Sequence, residues 1–226
     1  MSFNTIAQWV TLNSDLLLTA TWQTLYMVAI AGVVRFCTWV IPLGVILHTT
    51  KKDGLLENLP LNRILGAIVN VGRSVPFLVL MVAIIPVTKL IVGTFIGTTA
   101  AIVPLTIGAI PFVARLIESA LLEVPTGLVE AAQSMGATPL QIIRKVLLPE
   151  ALPTILNSVT ITLVTLVSYS AMAGTVGGGG LGDVAIRYGF HRYDITIMAV
   201  TVVMLIVLVQ IIQSIGDALV RRVDHR

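Results

Sequence analysis

The side chains that could couple to ion movement stand outside the long apolar runs of this sequence. All 11 Asp and Glu residues lie beyond an apolar run or at its rim. Carriers driven by protons or cations generally hold carboxylates or histidines within the membrane, because only an anionic or titratable group couples to the ion. This distribution disfavours an ion-coupled carrier, although backbone carbonyls can also bind Na⁺.

The other residues with catalytic or metal-binding chemistry are too scattered to form a site. His48, His191 and His225 fall in separate loops or in the tail, without the spacing of metal ligands. No apolar run contains a histidine that could activate a serine within the membrane. We therefore predict no metal site, no catalytic site and no cofactor in this chain.

Five glycines between residues 177 and 182 satisfy the G-x-G-x-x-G pattern of dinucleotide-binding proteins. That pattern binds a dinucleotide only between a β-strand and a helix, whereas this one follows an apolar run. The chain also lacks the Gly-Lys-Ser or Gly-Lys-Thr of an ATP-binding P-loop. The glycines instead predict a tight turn in which backbone segments approach closely.

The composition indicates that the chain consists mainly of membrane-spanning helices. Of the 226 residues, 56% are hydrophobic and 11% are charged, whereas soluble domains carry about 25% charge. Because a spanning helix needs roughly 20 apolar residues, the sequence predicts an all-α integral membrane protein with about five transmembrane helices in a single domain. The predicted spans cover residues 16–47, 64–88, 97–117, 151–176 and 195–216, and the longest loop covers residues 118–150.

Lysine and arginine predict the orientation of the spans, because they are enriched in cytoplasmic loops. With alternating spans, one side holds nine of the 14 basic residues and the other holds Lys89, Arg187 and Arg192. The N-terminus is therefore predicted outside and the C-terminus inside, in a multi-pass arrangement. The net charge of +3 is too small to indicate nucleic acid as a partner.

Two basic residues, Arg35 and Arg73, fall within predicted spans. Pro76 follows Arg73 closely and predicts a bend in the second span, because proline cannot donate a backbone hydrogen bond. We expect Arg73 to extend towards the inner face or to pair with a loop acid. Arg35 should extend inwards in the same way.

Helix-starting and helix-ending residues in the long inner loop predict two short helices joined at a glycine. Pro125 and Thr126 can start the first helix, and Gly136 is a natural left-handed stop. Thr138 can cap the second helix, with Pro139 at its first position, and this helix runs to Pro149. Such a helix–glycine–helix elbow ordinarily lies on a membrane or docks in a partner's groove.

The elbow resembles the EAA signature of ATP-binding-cassette importer permeases. The matching residues are Glu130-Ala131-Ala132, then Gly136, and then Val146-Leu147-Leu148-Pro149, where Ile is common at the position of Val146. Residues 73–77, 102–106, 120–127 and 135–139 are similar to the methionine-importer permeases of bacteria. This likeness extends from about Trp22 onward.

The resemblance implies a permease subunit of the bacterial inner membrane that has no ATPase site of its own. The implied partners are a second copy of the permease, a cytoplasmic ATPase dimer that binds ATP and Mg²⁺, and an extracytoplasmic substrate-binding lipoprotein. It assigns ATPase coupling to Glu130, Ala131, Ala132, Gly136 and Pro149, with the alanines allowing close packing and Pro149 closing the elbow. The implied substrate is methionine, in its L-form and in its D-form.

Polar residues on the fourth predicted span share one helical face. Ser158, Thr162, Thr165, Tyr169 and Met172 follow one another at steps of three or four residues. For Ser158 and Thr162 we favour helix packing, the usual role of small polar residues in membranes. Thr165, Tyr169 and Met172 are predicted to line the substrate pathway, and the Met172 thioether suits a thioether substrate.

The sequence leaves two alternative functions open. An importer of the same class could carry another small amino acid or metabolite, and the sequence separates these substrates poorly. A stand-alone channel or ion-coupled carrier belongs to a different class and would transport without an ATPase.

Overall fold

The computed structural model describes residues 13–34 and 41–224, and these residues form helices and turns without a β-strand. The helices, numbered here in chain order, are α1 Ser14–Ala29, α2 Ile41–Thr49, α3 Leu59–Ser74, α4 Phe77–Ala83, α5 Ile85–Val92, α6 Thr98–Leu122, α7 Thr126–Ser134, α8 Pro139–Ile142, α9 Leu148–Glu150, α10 Leu152–Ala173, α11 Gly180–Val184 and α12 Ile195–Val223. Single π-helical turns cover Ile30–Val34, Ile143–Leu147 and Ala185–Phe190, and a 3₁₀ turn covers Gly174–Val176. The prediction of an all-α membrane protein is confirmed.

Three helices of the described part of the chain are long and apolar enough to cross a membrane. They are α6, α10 with its 3₁₀ extension to Val176, and α12, and a fourth span results if the bent pair α3 and α4 is counted as one. α6 and α12 continue beyond the predicted ends at residues 117 and 216, because a helix does not stop where its apolar surface stops. The count of five spans stays a prediction.

The second predicted span is broken twice. α3 ends at Ser74, Val75 is extended at φ −82° and ψ 122°, and α4 begins after Pro76. This confirms the predicted bend, because a proline pushes the residue before it out of the helical region. A second break at Ile84, just before Pro86, was not predicted. Arg73 lies exposed in the last turn of α3 and forms no ion pair within the described ranges.

The first predicted span corresponds to α1, the following π-turn and α2. Residues 35–40 lie outside the described part of the chain, and Arg35 is among them. The expectation for Arg35 therefore stays a prediction. His48, expected in a loop, lies in the last turn of α2, because the helix runs past the apolar stretch to Thr49.

One compact unit comprises the described residues 13–33, 76–107 and 163–212. Its core joins Ala20 of α1 to Leu181 and Val184 of α11 and to Ile197 of α12. Two side chains of α1 also cap the start of α11. Gln23 Oε1 accepts a hydrogen bond from the Gly180 N–H at 2.8 Å, and Thr24 Oγ1 accepts one from the Leu181 N–H at 2.9 Å.

The other compact unit comprises residues 41–75, 108–162 and 213–224 of the described chain. Asn62 of α3 joins α3 to the end of α2, because its amide donates to Leu47 O at 2.7 Å and to Thr50 Oγ1 at 3.0 Å. Ile117 of α6 is fully buried, and a Cβ at Gly44 of α2 would overlap it. This unit carries the elbow predicted from residues 118–150.

Candidate functional site

The first helix of the elbow, α7, starts and stops at the predicted residues. Pro125 is its N-cap and Thr126 its first residue. Gly136 adopts the left-handed conformation at φ +79°. The Gly136 N–H donates to Gln133 O at 2.9 Å and the Ala137 N–H donates to Ala132 O at 3.1 Å, which is the hydrogen-bond pair of a Schellman motif.

The second helix begins directly after this stop. Thr138 is the N-cap of α8 and Pro139 is its first residue. The Thr138 N–H donates to Gln141 Oε1 at 2.8 Å, so the side chain satisfies an amide that the helix leaves open. The stop of α7 at Gly136 and the start of α8 after Thr138 thus lie where the sequence predicted them, whereas the coupling elbow stays a prediction.

The elbow has a buried inner side and an outer side that carries both polar and apolar residues. Ala132 is 5% exposed, and Ile142 and Leu147 are buried as well. Glu130 and Ala131 are exposed, as is Gly136 at the turn. Met135 is 81% exposed and Leu140 is also exposed. Among the predicted coupling residues, Ala132 therefore packs inside the elbow, whereas Glu130, Ala131 and Gly136 lie on the surface that a partner can reach.

Pro149 lies in a different local structure from the one predicted. The helix does not end at Pro149, because α9 includes Pro149 and runs to Glu150. α10 then begins at Leu152. The π-turn Ile143–Leu147 comes directly before α9, and such a widened turn accommodates a proline that lacks a donor. Pro149 is exposed and marks the passage from the elbow into α10.

A hydrogen bond joins the two ends of the segment that carries the elbow. Glu123 directly follows α6, and Thr154 stands in the first turn of α10. The Thr154 hydroxyl donates to Glu123 Oε2 at 2.9 Å. This hydrogen bond therefore connects the end of α6 to the first turn of α10.

The polar face of α10 becomes more exposed along the helix. Ser158 and Thr162 are buried, and their hydroxyls donate to the backbone of their own helix at 2.9 and 2.7 Å. Thr165 and Tyr169 are half-buried, and Met172 is 43% exposed. The exposed end of this face therefore carries the three residues predicted to line the pathway.

Phe77 is a partner of Tyr169 that sequence reasoning missed. The two rings are stacked, with centroids 4.3 Å apart and an interplanar angle of 5°. Phe77 is buried at the first position of α4, directly after Pro76. In the sequence, Phe77 is recognisable only as an aromatic residue next to the predicted bend at Pro76. That position does not indicate that its ring stacks on Tyr169.

The glycine-rich stretch forms the predicted tight turn. Gly177, Gly179 and Gly180 all have positive φ angles. A Cβ at Gly182 would overlap the backbone of Ala171, and one at Gly174 would overlap the backbone of Asp183. The glycines therefore let α11 fold back onto the end of α10, and no β-strand precedes them in the described residues.

Comparisons with known proteins agree with this arrangement. A protein of Vibrio cholerae serotype O1 named probable D-methionine transport system permease protein MetI is 95% identical over 226 residues, with both chains fully covered. A protein of the same name from Pasteurella multocida is 50% identical over 207 residues, which cover 92% of this chain and 95% of the relative.

Solved structures show the same fold. An inward-facing structure of the MetNI methionine ABC transporter matches with a TM-score of 0.92 at 50% identity, and both chains are covered completely. An amino acid ABC transporter with histidines shares the fold at a TM-score of 0.77 and 20% identity, over 98% of this chain and 99% of the other.

A family model extends the similarity over most of the chain. The model matches residues 40–225, which include the elbow and the three helices of the described residues that are long enough to span a membrane. The chain therefore belongs to the family of binding-protein-dependent transport system inner membrane components.

Proposed function

We propose that this chain is the transmembrane permease subunit of an ATP-driven methionine importer in the bacterial inner membrane. The observation that carries the proposal is the capped elbow, which presents Glu130 and Ala131 on an exposed surface. The name of the 95% identical relative supports D-methionine as a substrate. The solved transporter that shares the fold is described as a methionine ABC transporter, and the proposal includes the L-form.

In this proposal the driving energy enters through another polypeptide. The chain has no P-loop motif, so ATP and Mg²⁺ bind to a partner ATPase dimer. α7 is the coupling helix and docks on that ATPase through Glu130, Ala131 and the exposed side chain of Met135. ATP binding and hydrolysis change the separation of the two ATPase subunits, and the docked elbows move with them.

The hydrogen bond between Glu123 and Thr154 supports the next step of the mechanism. It ties the base of the elbow to α6 and α10, so movement of α7 reaches both helices. Gly136 acts in coupling by holding the elbow in its bent form, and Pro149 acts at the passage from the elbow into α10. Ala132 acts by close packing, because its side chain is buried inside the elbow.

The substrate pathway in this proposal follows the exposed end of the α10 face. Thr165, Tyr169 and Met172 line it, and stacking on Phe77 fixes the position of the Tyr169 ring. Sulfur makes favourable contacts with aromatic rings and other soft groups, so Tyr169 and Met172 suit a thioether substrate. Selectivity for the free amino acid rests on the binding protein, because this face carries no charged side chain to bind the ammonium or the carboxylate.

The proposed assembly has five spans per subunit, with the N-terminus outside and the C-terminus in the cytoplasm. Two copies of the permease face each other, and a substrate-binding lipoprotein delivers methionine from outside. The distribution of basic residues supports this orientation. The membership in a binding-protein-dependent family supports the extracytoplasmic partner.

Reconstituted vesicles test the proposal. The permease is incorporated with its ATPase, and uptake of labelled L- and D-methionine is measured with the binding lipoprotein outside and ATP inside. We expect uptake that requires all three proteins and that stops when ATP is replaced by a non-hydrolysable analogue. Uptake by the permease alone would instead identify a stand-alone carrier, and preferential uptake of another amino acid would replace methionine as the substrate.

A further inference from the structure

A cavity lies beside the coupling helix, between α7 and the segment that connects α2 to α3. Its volume is about 230 Å³, which is below the roughly 300–1,000 Å³ of sites for drug-sized ligands. The polar residues that line it are His48, Lys51, Asp53, Thr126, Glu130 and Gln133. All of them belong to one compact unit, on the side predicted to face the cytoplasm.

The backbone that carries this lining is well ordered by hydrogen bonds. In the connection between α2 and α3, the Gly54 N–H donates to Lys51 O and the Leu56 N–H donates to Thr49 O, each at 3.0 Å. The Asp53 N–H donates to Glu57 Oε2 at 2.9 Å. On the opposite wall, α7 holds Glu130 and Gln133 within a capped helix. The cavity therefore has two structured walls.

Charged side chains of both signs line the cavity, and they form no ion pairs with one another. Lys51 brings a positive charge, and Asp53 and Glu130 bring negative charges. None of the three forms an ion pair within residues 13–34 and 41–224. Leu55, Leu121 and Val129 are among the apolar side chains between them. A ligand that suits this lining carries both charges and an apolar group.

His48 adds a polar atom that lacks a partner. Its Nδ1 atom is buried and has no hydrogen-bond partner among the described residues. Burial, and then the positive charge of Lys51, lower the pKa of His48 from 6.5 to about 4, so the ring is neutral at cytoplasmic pH. A buried polar atom without a partner is unfavourable, and because Nδ1 is inaccessible, it does not contact a molecule in the cavity.

We infer that this cavity binds a small zwitterion with an apolar side chain, that is, a free amino acid. The carboxylate of Asp53 attracts its ammonium group, and the ammonium of Lys51 attracts its carboxylate. The apolar side chain packs among Leu55, Leu121 and Val129. Bound in this way, the amino acid contacts both walls, so its occupancy depends on the position of the coupling helix.

Binding to the purified permease–ATPase complex tests the inference. The choice of L-methionine as the probe rests on the proposed function. Equilibrium binding of labelled L-methionine is measured for the wild type, for Lys51→Met and for Lys52→Met. Lys52 is the matched control, because it is the adjacent lysine and does not line the cavity. Binding to the ATPase alone is measured separately and subtracted.

We expect Lys51→Met to weaken L-methionine binding about 10- to 100-fold, the loss of one hydrogen bond to a charged group. Lys52→Met should bind as the wild type does. The decarboxylated analogue 3-(methylthio)propylamine lacks the carboxylate, so Lys51→Met should not weaken its binding. Leu55→Trp should abolish binding of both molecules by filling the cavity.

Two results would overturn the inference. One is that the wild-type complex binds neither L-methionine nor L-leucine beyond the ATPase alone, and the other is that binding is unchanged in Lys51→Met and Leu55→Trp. Uptake by the same preparation separates this inference from the proposed function. Normal uptake without cavity binding refutes only the inference, whereas Lys51-dependent binding of L-leucine without methionine uptake refutes only the proposed substrate.

Discussion

Replacement of Gly136 by alanine isolates the backbone conformation on which the elbow depends. A Cβ at this position meets no atom within 4 Å, so alanine introduces no steric overlap. The whole effect comes from φ +79°, because a side chain in the left-handed region costs about 1–2 kcal/mol. That amount lowers the population of the bent elbow roughly 5- to 30-fold relative to opened forms.

Gly127 supplies a matched control within the same helix. A Cβ at Gly127 also meets no atom within 4 Å, but Gly127 lies inside α7. Gly127→Ala should therefore leave the elbow unchanged or stabilise it by about 0.5–1 kcal/mol. Gly136→Asn should fall between the wild type and Gly136→Ala, because asparagine tolerates the left-handed conformation.

Hydrogen exchange in the reconstituted complex measures this effect directly. The amides of Gly136 and Ala137 donate the two hydrogen bonds that close α7, so their exchange should accelerate in Gly136→Ala by the same 5- to 30-fold factor. ATP-driven uptake should fall in parallel. Equal exchange and equal uptake in Gly136→Ala and Gly127→Ala would show that the left-handed turn does not hold the elbow.

Three further predictions concern other parts of the chain. Phe77→Ala should remove a stacking contact worth about 0.5–1.5 kcal/mol and alter the kinetics of methionine uptake, whereas Tyr169→Phe should retain the stack and near-normal uptake. Thr24→Val removes the acceptor for the Leu181 amide of α11 and should lower the free energy of unfolding by about 1–3 kcal/mol. Thr21→Val is its control, since the Thr21 hydroxyl only donates within α1, and thermal unfolding of the two variants in detergent should differ. Because the pKa of His48 is lowered from 6.5 to about 4, the unfolded state binds the extra proton, and stability should fall as the pH drops from 6.5 towards 4. His48→Gln should reduce that dependence, and an identical pH profile of the unfolding midpoint would contradict the burial of the ring.

Features set by neighbouring residues were predicted well from the sequence. The start of α7 at Thr126, its stop at Gly136 and the cap at Thr138 all follow from local chemistry, because caps and left-handed turns depend on a few adjacent residues. The bend at Pro76 follows from the same kind of argument.

Features set by distant residues were not predicted. The stack of Phe77 on Tyr169 and the caps that Gln23 and Thr24 provide for α11 join segments far apart in the chain, and hydropathy carries no information about such pairs. The break at Ile84 lies inside an apolar stretch, where composition alone does not distinguish one long helix from two short ones. The cavity beside α7 likewise depends on the approach of two segments.

The caps on α11 also bear on when the chain can complete its fold. Thr24 and Leu181 are separated by 157 residues, and a ribosome adds about 5–20 residues per second. The Leu181 N–H, which donates to the Thr24 hydroxyl, is therefore synthesised roughly 8–30 s after Thr24. The Thr24 hydroxyl itself already donates to Ala20 O at 3.1 Å within α1, so α1 can form before α11 is synthesised. The glycine turn before α11 becomes fixed late in biosynthesis, after the elbow has left the ribosome.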